Sequence, residues 1–273
     1  MRIHALGGKV YVNPDGLEWK RSKWSKPVQA YLKYAEKSMA KTVDLVISDN
    51  IGIENYIKES YPDAKTRFIA YGTDLKKSTL TADDYKVRKC FDNWKTKENG
   101  YYLIVGRFVP ENNYETAIRE FMKSNTRRDL IIISNHKNSA YFDKLKHLTN
   151  FERDHRVKFV GTVYDRDLLN YIRENAFAYI HGHEVGGTNP GLLEALGHTK
   201  LNLVLDVSFN KSVAGASAFY WNKTSGNLSC LINDADGHYD FTEYGNRARA
   251  IVKQNYTWEK IIGEYEGLFL NED

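Results

Sequence analysis

The feature that most constrains this chain is a recurring alternation of short apolar strands and longer amphipathic helices. Such alternation calls for parallel sheets covered by helices, an α/β architecture. The clearest series begins at YYLIVG, residues 101–106, and runs through helix NYETAIREFMKS, strand DLIIIS, helix SAYFDKLKHL and strand VKFVG. Helix DRDLLNYIREN, strand AFAYIH, helix PGLLEALGH and strand LNLVLD continue it. Short strand-like elements FYW and LSCLI then precede two terminal helices near 239–255 and 257–269. This count predicts a complete doubly wound parallel sheet.

A shorter series comes first: KVYVN, a helix from about Ser25 to Lys41, VDLVIS, helix IGIENYIKES and strand TRFIA. It offers about three strands. Either this first domain is small, or the chain lacks the start of a longer protein; the second reading is the expectation. The predicted division is 1–74 as a partial first domain, 75–100 as a polar connector with one helix, 101–255 as the second domain, and 256–273 as a terminal helix crossing back.

Charge is uneven. The net charge is +4, yet residues 1–41 hold nine Lys and Arg against three Asp and Glu. This basic segment, with Trp19 and Trp24, suits peripheral contact with anionic lipid or a phosphate-bearing substrate, or is a solvated helix face. No nucleic-acid-binding module is visible. The start lacks an apolar signal core and no run approaches a membrane span, so a cytoplasmic protein is expected, touching a membrane only from that side. Cys90 and Cys230 stand in no metal-like pattern.

Ligands of open α/β sheets bind beyond the carboxyl ends of the strands. Two segments there carry unusual residues. In Gly106-Arg107-Phe108-Val109-Pro110-Glu111-Asn112, the glycine permits a close turn and Arg107 offers a fork of donors suited to a diphosphate. The bland reading is a surface ion pair. In the loop from His181 to Gly191, glycines precede a helix expected to start at Pro190 with Asn189 as its N-cap. Exposed amides at that start suit an anion, and Glu194, one turn in, suits a ribose. His181, His183 and Glu184 match no zinc signature, so no metal is expected. Asp165-Arg166-Asp167 reads as a helix start, and Asp234-Ala235-Asp236 as a turn.

From VDLVISDN through FIAYGTD, YYLIVGRFVPENNYETAI and VKFVGTVYDRDLLNYI to LLEALG, the chain resembles the retaining GT-B glycosyltransferases of family four. These have two Rossmann-like domains, of which the first would be incomplete here. NPDGLEWKRSKWS, SDNIGIENYI, GRFVPENNYE and HGHEVGGTNPGLLEAL bring it nearest to bacterial rhamnosyltransferases of capsule and rhamnan synthesis. The resemblance implies transfer of L-rhamnose from dTDP-L-rhamnose to a lipid-linked saccharide, with retention and no cofactor. Arg107, Glu194 and Asp15 would be catalytic. Gly106, Asn112, His183, Gly186, Gly187, Thr188, Asn189 and Gly191 would join Arg107 and Glu194 around the donor. Glu18, Trp19 and Arg21 would face the acceptor. Two departures stand out: Gly186 occupies the place of the family's first glutamate, with Glu184 two residues early, and the usual phosphate-binding lysine after the arginine is absent. Rival readings are a nucleotide-sugar epimerase or phosphorylase on the same fold, and a non-catalytic nucleotide-sugar-binding or interaction protein.

Overall fold

The computed structural model describes residues 2–14, 16–21, 23–137, 139–238 and 240–270. A short helix α1 (Arg2–Ala5) precedes β1 (Tyr11–Val12), a 3-10 turn (Glu18–Lys20), α2 (Lys26–Thr42), β2 (Leu45–Ser48), α3 (Ile51–Ser60) and β3 (Thr66–Phe68). These three strands form a parallel sheet in the order β1-β2-β3, with Tyr11 opposite Leu45 and Val46 opposite Thr66. Asn50 starts α3 by accepting the Gly52 amide at 2.8 Å, so the N-cap sits directly at the end of β2.

Helix α4 (Tyr85–Trp94) forms within the polar stretch after β3. Its Val87 and Phe91 are buried against Tyr101, Leu103 and Ile131, so the segment packs as a layer of the second sheet. That sheet comprises β4 (Tyr101–Val105), β5 (Asp129–Ile133), β6 (Val157–Gly161), β7 (Ala178–His181), β8 (Asn202–Leu205) and β9 (Phe219–Trp221). Between them run α5 (Tyr114–Lys123), α6 (Ala140–Thr149), α7 (Arg166–Glu174), α8 (Pro190–His198) and α9 (Ser208–Ala214). Helices α10 (Asn227–Asp236), α11 (Thr242–Asn255) and α12 (Trp258–Leu270) follow.

All six strands are parallel, in the order β6-β5-β4-β7-β8-β9. The two-residue side-chain period divides β4 cleanly. Tyr102 and Ile104 enter the core beneath α5 and α10, while Tyr101 and Leu103 face α4 and α7. The order reverses between β4 and β7, which opens a crevice at their carboxyl ends.

A third core spans the two sheets. Ile47, Ile69 and Ala70 of the first pack with Leu192, Leu196, Val213, Tyr256 and Ile261 of the second. Helix α12 returns over the first sheet: the Tyr11 and Phe269 rings stack at 6.2 Å, and the Thr73 amide donates to the Tyr256 carbonyl at 2.7 Å. Among the described residues, no helix is long and apolar enough to cross a membrane.

Two local expectations are corrected and one element is added. Leu228 to Ile232 belongs to helix α10, where Leu228 and Ile232, one turn apart, are buried on a single face. Asp234-Ala235-Asp236 is the end of that helix rather than a turn, and Asp236 accepts from the Tyr102 hydroxyl at 2.7 Å. Helix α9, absent from the sequence reading, fills the β8–β9 crossover. Cys90 and Cys230 are both free thiols.

Candidate functional site

The crevice at the β4–β7 reversal contains a cavity of about 350 Å³. Gly106 and Arg107 enter it from the end of β4, and His181, Gly182 and His183 from the end of β7. The two strand-end loops are pressed together. A Cβ on Gly182 would stand 2.3 Å from the Asn112 carbonyl oxygen, so only glycine fits there. Asn113 Nδ2 donates to the Gly182 carbonyl at 2.8 Å, and His183 Nδ1 meets Asn112 Oδ1 at 2.7 Å. Asn112 Nδ2 in turn donates to the Arg107 carbonyl at 2.6 Å, so Asn112 fixes the backbone from which Arg107 projects. The Arg107 side chain is exposed, and its guanidinium has no ion pair among the described residues.

The paired histidines are held neutral. Burial pushes His181 down to about 3, with nearby His183 adding to the effect. His183 is lowered chiefly by burial; Arg21 and Arg107 lower it further, against the opposing influence of the Val185 backbone and Glu111. Arg21 and Arg107 thus bring positive charge to one imidazole from the two domains. Among the described residues, no group of three or more His, Cys, Asp or Glu side chains is gathered to hold a metal ion.

Helix α8 starts at Pro190 with Asn189 as N-cap. Asn189 Oδ1 accepts the Gly191 amide at 2.8 Å and the Leu192 amide at 3.3 Å. The cap thereby engages two of the amide groups at the helix start, and Asn189, Pro190 and Gly191 all line the cavity. Glu194 lines the cavity from the next turn, and Arg173 Nη2 of α7 donates to its Oε2 at 2.5 Å.

Seven of the ten residues expected around a donor line this cavity: Gly106, Arg107, Asn112, His183, Asn189, Gly191 and Glu194. Gly186, Gly187 and Thr188 instead meet the first domain. Thr188 Oγ1 donates to the Asp49 carbonyl at 2.5 Å, and Asn50 Nδ2 approaches Thr188 Oγ1 at 3.5 Å. A Cβ on Gly16 would lie 3.0 Å from the Gly186 Cα.

On the first domain, Glu18 pairs with Arg21 at 2.6 Å and accepts from the Trp24 indole at 3.3 Å. Trp19 donates to Glu36 at 3.0 Å with Lys33 4.6 Å above its ring. Asp15 lies outside the described residues. A larger groove, about 910 Å³, runs between α2 and residues 60–65 and shares no residue with the crevice.

Residues 1–74 match a family described as a domain of unknown function (DUF1972). An uncharacterized glycosyltransferase of Methanocaldococcus jannaschii is 23% identical over 98% of this chain and 67% of its own. Sucrose-phosphate synthase from Thermosynechococcus elongatus superposes with a TM-score of 0.81 at 17% identity, over 97% of this chain and 68% of that one. Anabaena HepE in complex with UDP gives 0.80 at 16%, over 98% and 74%. The fold is that of the GT-B glycosyltransferases.

The sequence reading missed Arg173 and the seam residues Asp49 and Asn50. Arg173 stands beside Glu174 and Asn175 at the end of an amphipathic helix, where a charge ordinarily faces water; here its side chain is 3% exposed. Asn50 carried a visible signal as an N-cap, but its Nδ2 also donates to Ser212 at 3.1 Å, a contact between residues 162 apart that no local pattern reveals.

Proposed function

We propose that this chain binds a nucleotide-sugar donor in the β4–β7 crevice and transfers its sugar to an acceptor hydroxyl, as a GT-B glycosyltransferase. One observation carries the reading: Arg107 and Glu194, far apart in sequence, line one cavity where the strand order reverses. Arg107 would meet the diphosphate and Glu194 the nucleoside sugar. Arg21, which lowers His183 together with Arg107 and pairs with Glu18 at 2.6 Å, would supply a second cation in place of the missing lysine.

The finer reading names dTDP-L-rhamnose as donor, a lipid-linked saccharide as acceptor, and retention at the anomeric carbon. No cofactor is assigned, since the sugar nucleotide is itself the substrate. The leaving diphosphate takes the proton of the incoming hydroxyl on the same face, and the protein contributes positioning and charge stabilisation. The exposed guanidinium of Arg107, which lines the cavity, is the group best placed for the charge that develops on the departing phosphate. Anabaena HepE, which shares the fold, is known in complex with UDP and with UDP-glucose, and this supports a nucleotide-sugar donor. The exposed cations of α2 and the turn before it would hold the protein at an anionic membrane, where a lipid-linked acceptor resides.

Calorimetry with dTDP, UDP and GDP, followed by incubation with dTDP-L-rhamnose and a lipid-linked saccharide, tests the reading. Nucleotide binding with transfer, and an unchanged anomeric configuration by NMR, is the expected result. Absence of binding to all three nucleotides would overturn it.

A further inference from the structure

Glu194 has two carboxylate oxygens, and the structure gives them different surroundings. Oε2 accepts a charge-assisted bond from Arg173 Nη2 at 2.5 Å. Among the described residues, Oε1 makes no hydrogen bond, and the Glu194 side chain is 34% exposed where it lines the cavity. Arg173 is buried beneath Glu194, and its Nε has no hydrogen-bond partner among the described residues. Its side chain is 3% exposed, its carbonyl accepts the Thr199 hydroxyl at 3.3 Å, and its helix packs beside α8. A buried guanidinium held this way keeps its carboxylate partner from turning, because separation would leave a desolvated charge without a counterion.

This geometry bears on nucleoside recognition. A ribose presents vicinal 2′ and 3′ hydroxyls, and a carboxylate grips both when its two oxygens lie side by side toward the sugar. A 2′-deoxyribose presents the 3′ hydroxyl alone. With Oε2 committed to Arg173, one oxygen faces the cavity, and one hydroxyl satisfies it.

We infer that Arg173 is a specificity-determining residue, which ties one oxygen of Glu194 and so lets the crevice accept 2′-deoxyribose as readily as ribose in a nucleoside diphosphate. The inference rests on the donor site proposed above and deepens it, since a thymidine nucleotide is a deoxynucleotide. Arg173 acts through Glu194 and is given no contact with the reacting atoms.

The test is the ratio of UDP to dUDP affinity, two ligands that differ only at the 2′ position. The wild-type chain binds both within about threefold. Arg173→Leu frees Oε2, and UDP then gains over dUDP by about tenfold, the factor set by one hydrogen bond to a charged group. A purely structural role for Arg173 would weaken both ligands together and leave the ratio alone. A tenfold preference for UDP in the wild type overturns the inference, as does an unchanged ratio in a folded Arg173→Leu variant. Where Arg173→Leu does not fold, Glu194→Gln decides. Equal loss of affinity for UDP and dUDP supports the inference, and loss for UDP alone, or for neither, overturns it. Failure of the wild type to bind either nucleotide would instead overturn the donor site itself.

Discussion

A Cβ on Gly187 would stand 2.0 Å from Asp49 Oδ1, at the seam where the β7–α8 loop meets the end of β2. No side chain fits there without displacing a carboxylate on a buried residue or the loop itself. Gly187→Ala is therefore expected to destabilise the protein by about 1–3 kcal/mol, the usual range for overpacking. Gly263, in helix α12, has nothing within 4 Å of its Cβ position. Gly263→Ala should instead stabilise by about 0.5–1 kcal/mol through lost backbone freedom in the unfolded chain. Chemical denaturation of both variants checks the contrast, and equal midpoints would contradict the packing argument.

Arg107 projects from the end of β4, exposed and without an ion pair among the described residues, so its removal leaves no buried counterion there. Arg107→Ala should lower affinity for a nucleoside diphosphate by about 10–100-fold, the range for a bond to a charged group, while leaving affinity for the free nucleoside unchanged. Glu194→Gln should weaken both ligands, because it acts on the nucleoside end. Asp15→Ala should change neither by more than about threefold. Calorimetry with dTDP and thymidine separates these outcomes, and a similar loss in all three variants would refute the assignment of roles.

The strand series was readable because central parallel strands are apolar on both faces. YYLIV and DLIII admit few other interpretations in this context, and the helix cap at Asn189 followed from residue type alone. What failed was of a different kind. LSCLI has a composition shared by buried strands and short helices, and only the tertiary placement of Leu228 beside Ile232 separates the two. The assignment of Gly186 to Thr188 to the donor loop is a separate matter: it follows from glycine content, which marks close approach without saying what approaches. Here the neighbours are Gly16, Asp49 and Asn50 of the first domain. Arg107 and Glu194 were visible through their offsets from strand and helix ends, while Arg173 was not, because its partner lies 21 residues away on another helix.

Burial of neutral His181 links stability to pH. Its value falls from 6.5 to about 3 in the folded protein, so between those limits the unfolded chain binds a proton that the folded chain does not. Stability is then full above 6.5 and falls with pH toward 3, by at most about 1.4 kcal/mol per unit for this residue. His183, also lowered by burial, adds to the loss in the same direction. Denaturant midpoints at pH 7.5 and 5.5 should differ in the wild type and differ less in His181→Asn. An equal pH dependence in both proteins would show that His181 titrates normally or not at all.

From Lys20 to Lys41 the chain has seven Lys and Arg and a single acid, Glu36. Glu36 is withdrawn beneath Lys33, Trp19, Tyr56 and Tyr61, its side chain 8% exposed. The surface of α2 is therefore dominated by positive charge, and Glu18 in the turn before it is engaged by Arg21 and Lys23. Trp24, Val28, Tyr31 and Tyr34 are exposed among the cations, and within α2 only Ala40 is buried. Aromatic rings beside lysines suit the headgroup region of a bilayer, where an amphipathic helix lies in the plane and gains about 1 kcal/mol per cation near an anionic surface. Vesicles of phosphatidylcholine with phosphatidylserine should sediment the protein at low ionic strength, and vesicles of phosphatidylcholine alone should not. Lys37→Glu with Lys41→Glu should weaken the association by at least about tenfold, and added salt should release the wild type, since exposed charges are screened within about 8 Å at physiological ionic strength. Tyr31→Ser with Tyr34→Ser should weaken it without altering the salt response, because the apolar contribution does not depend on screening. Binding to neutral vesicles as strong as to anionic ones would show that these cations do not direct the chain to a membrane.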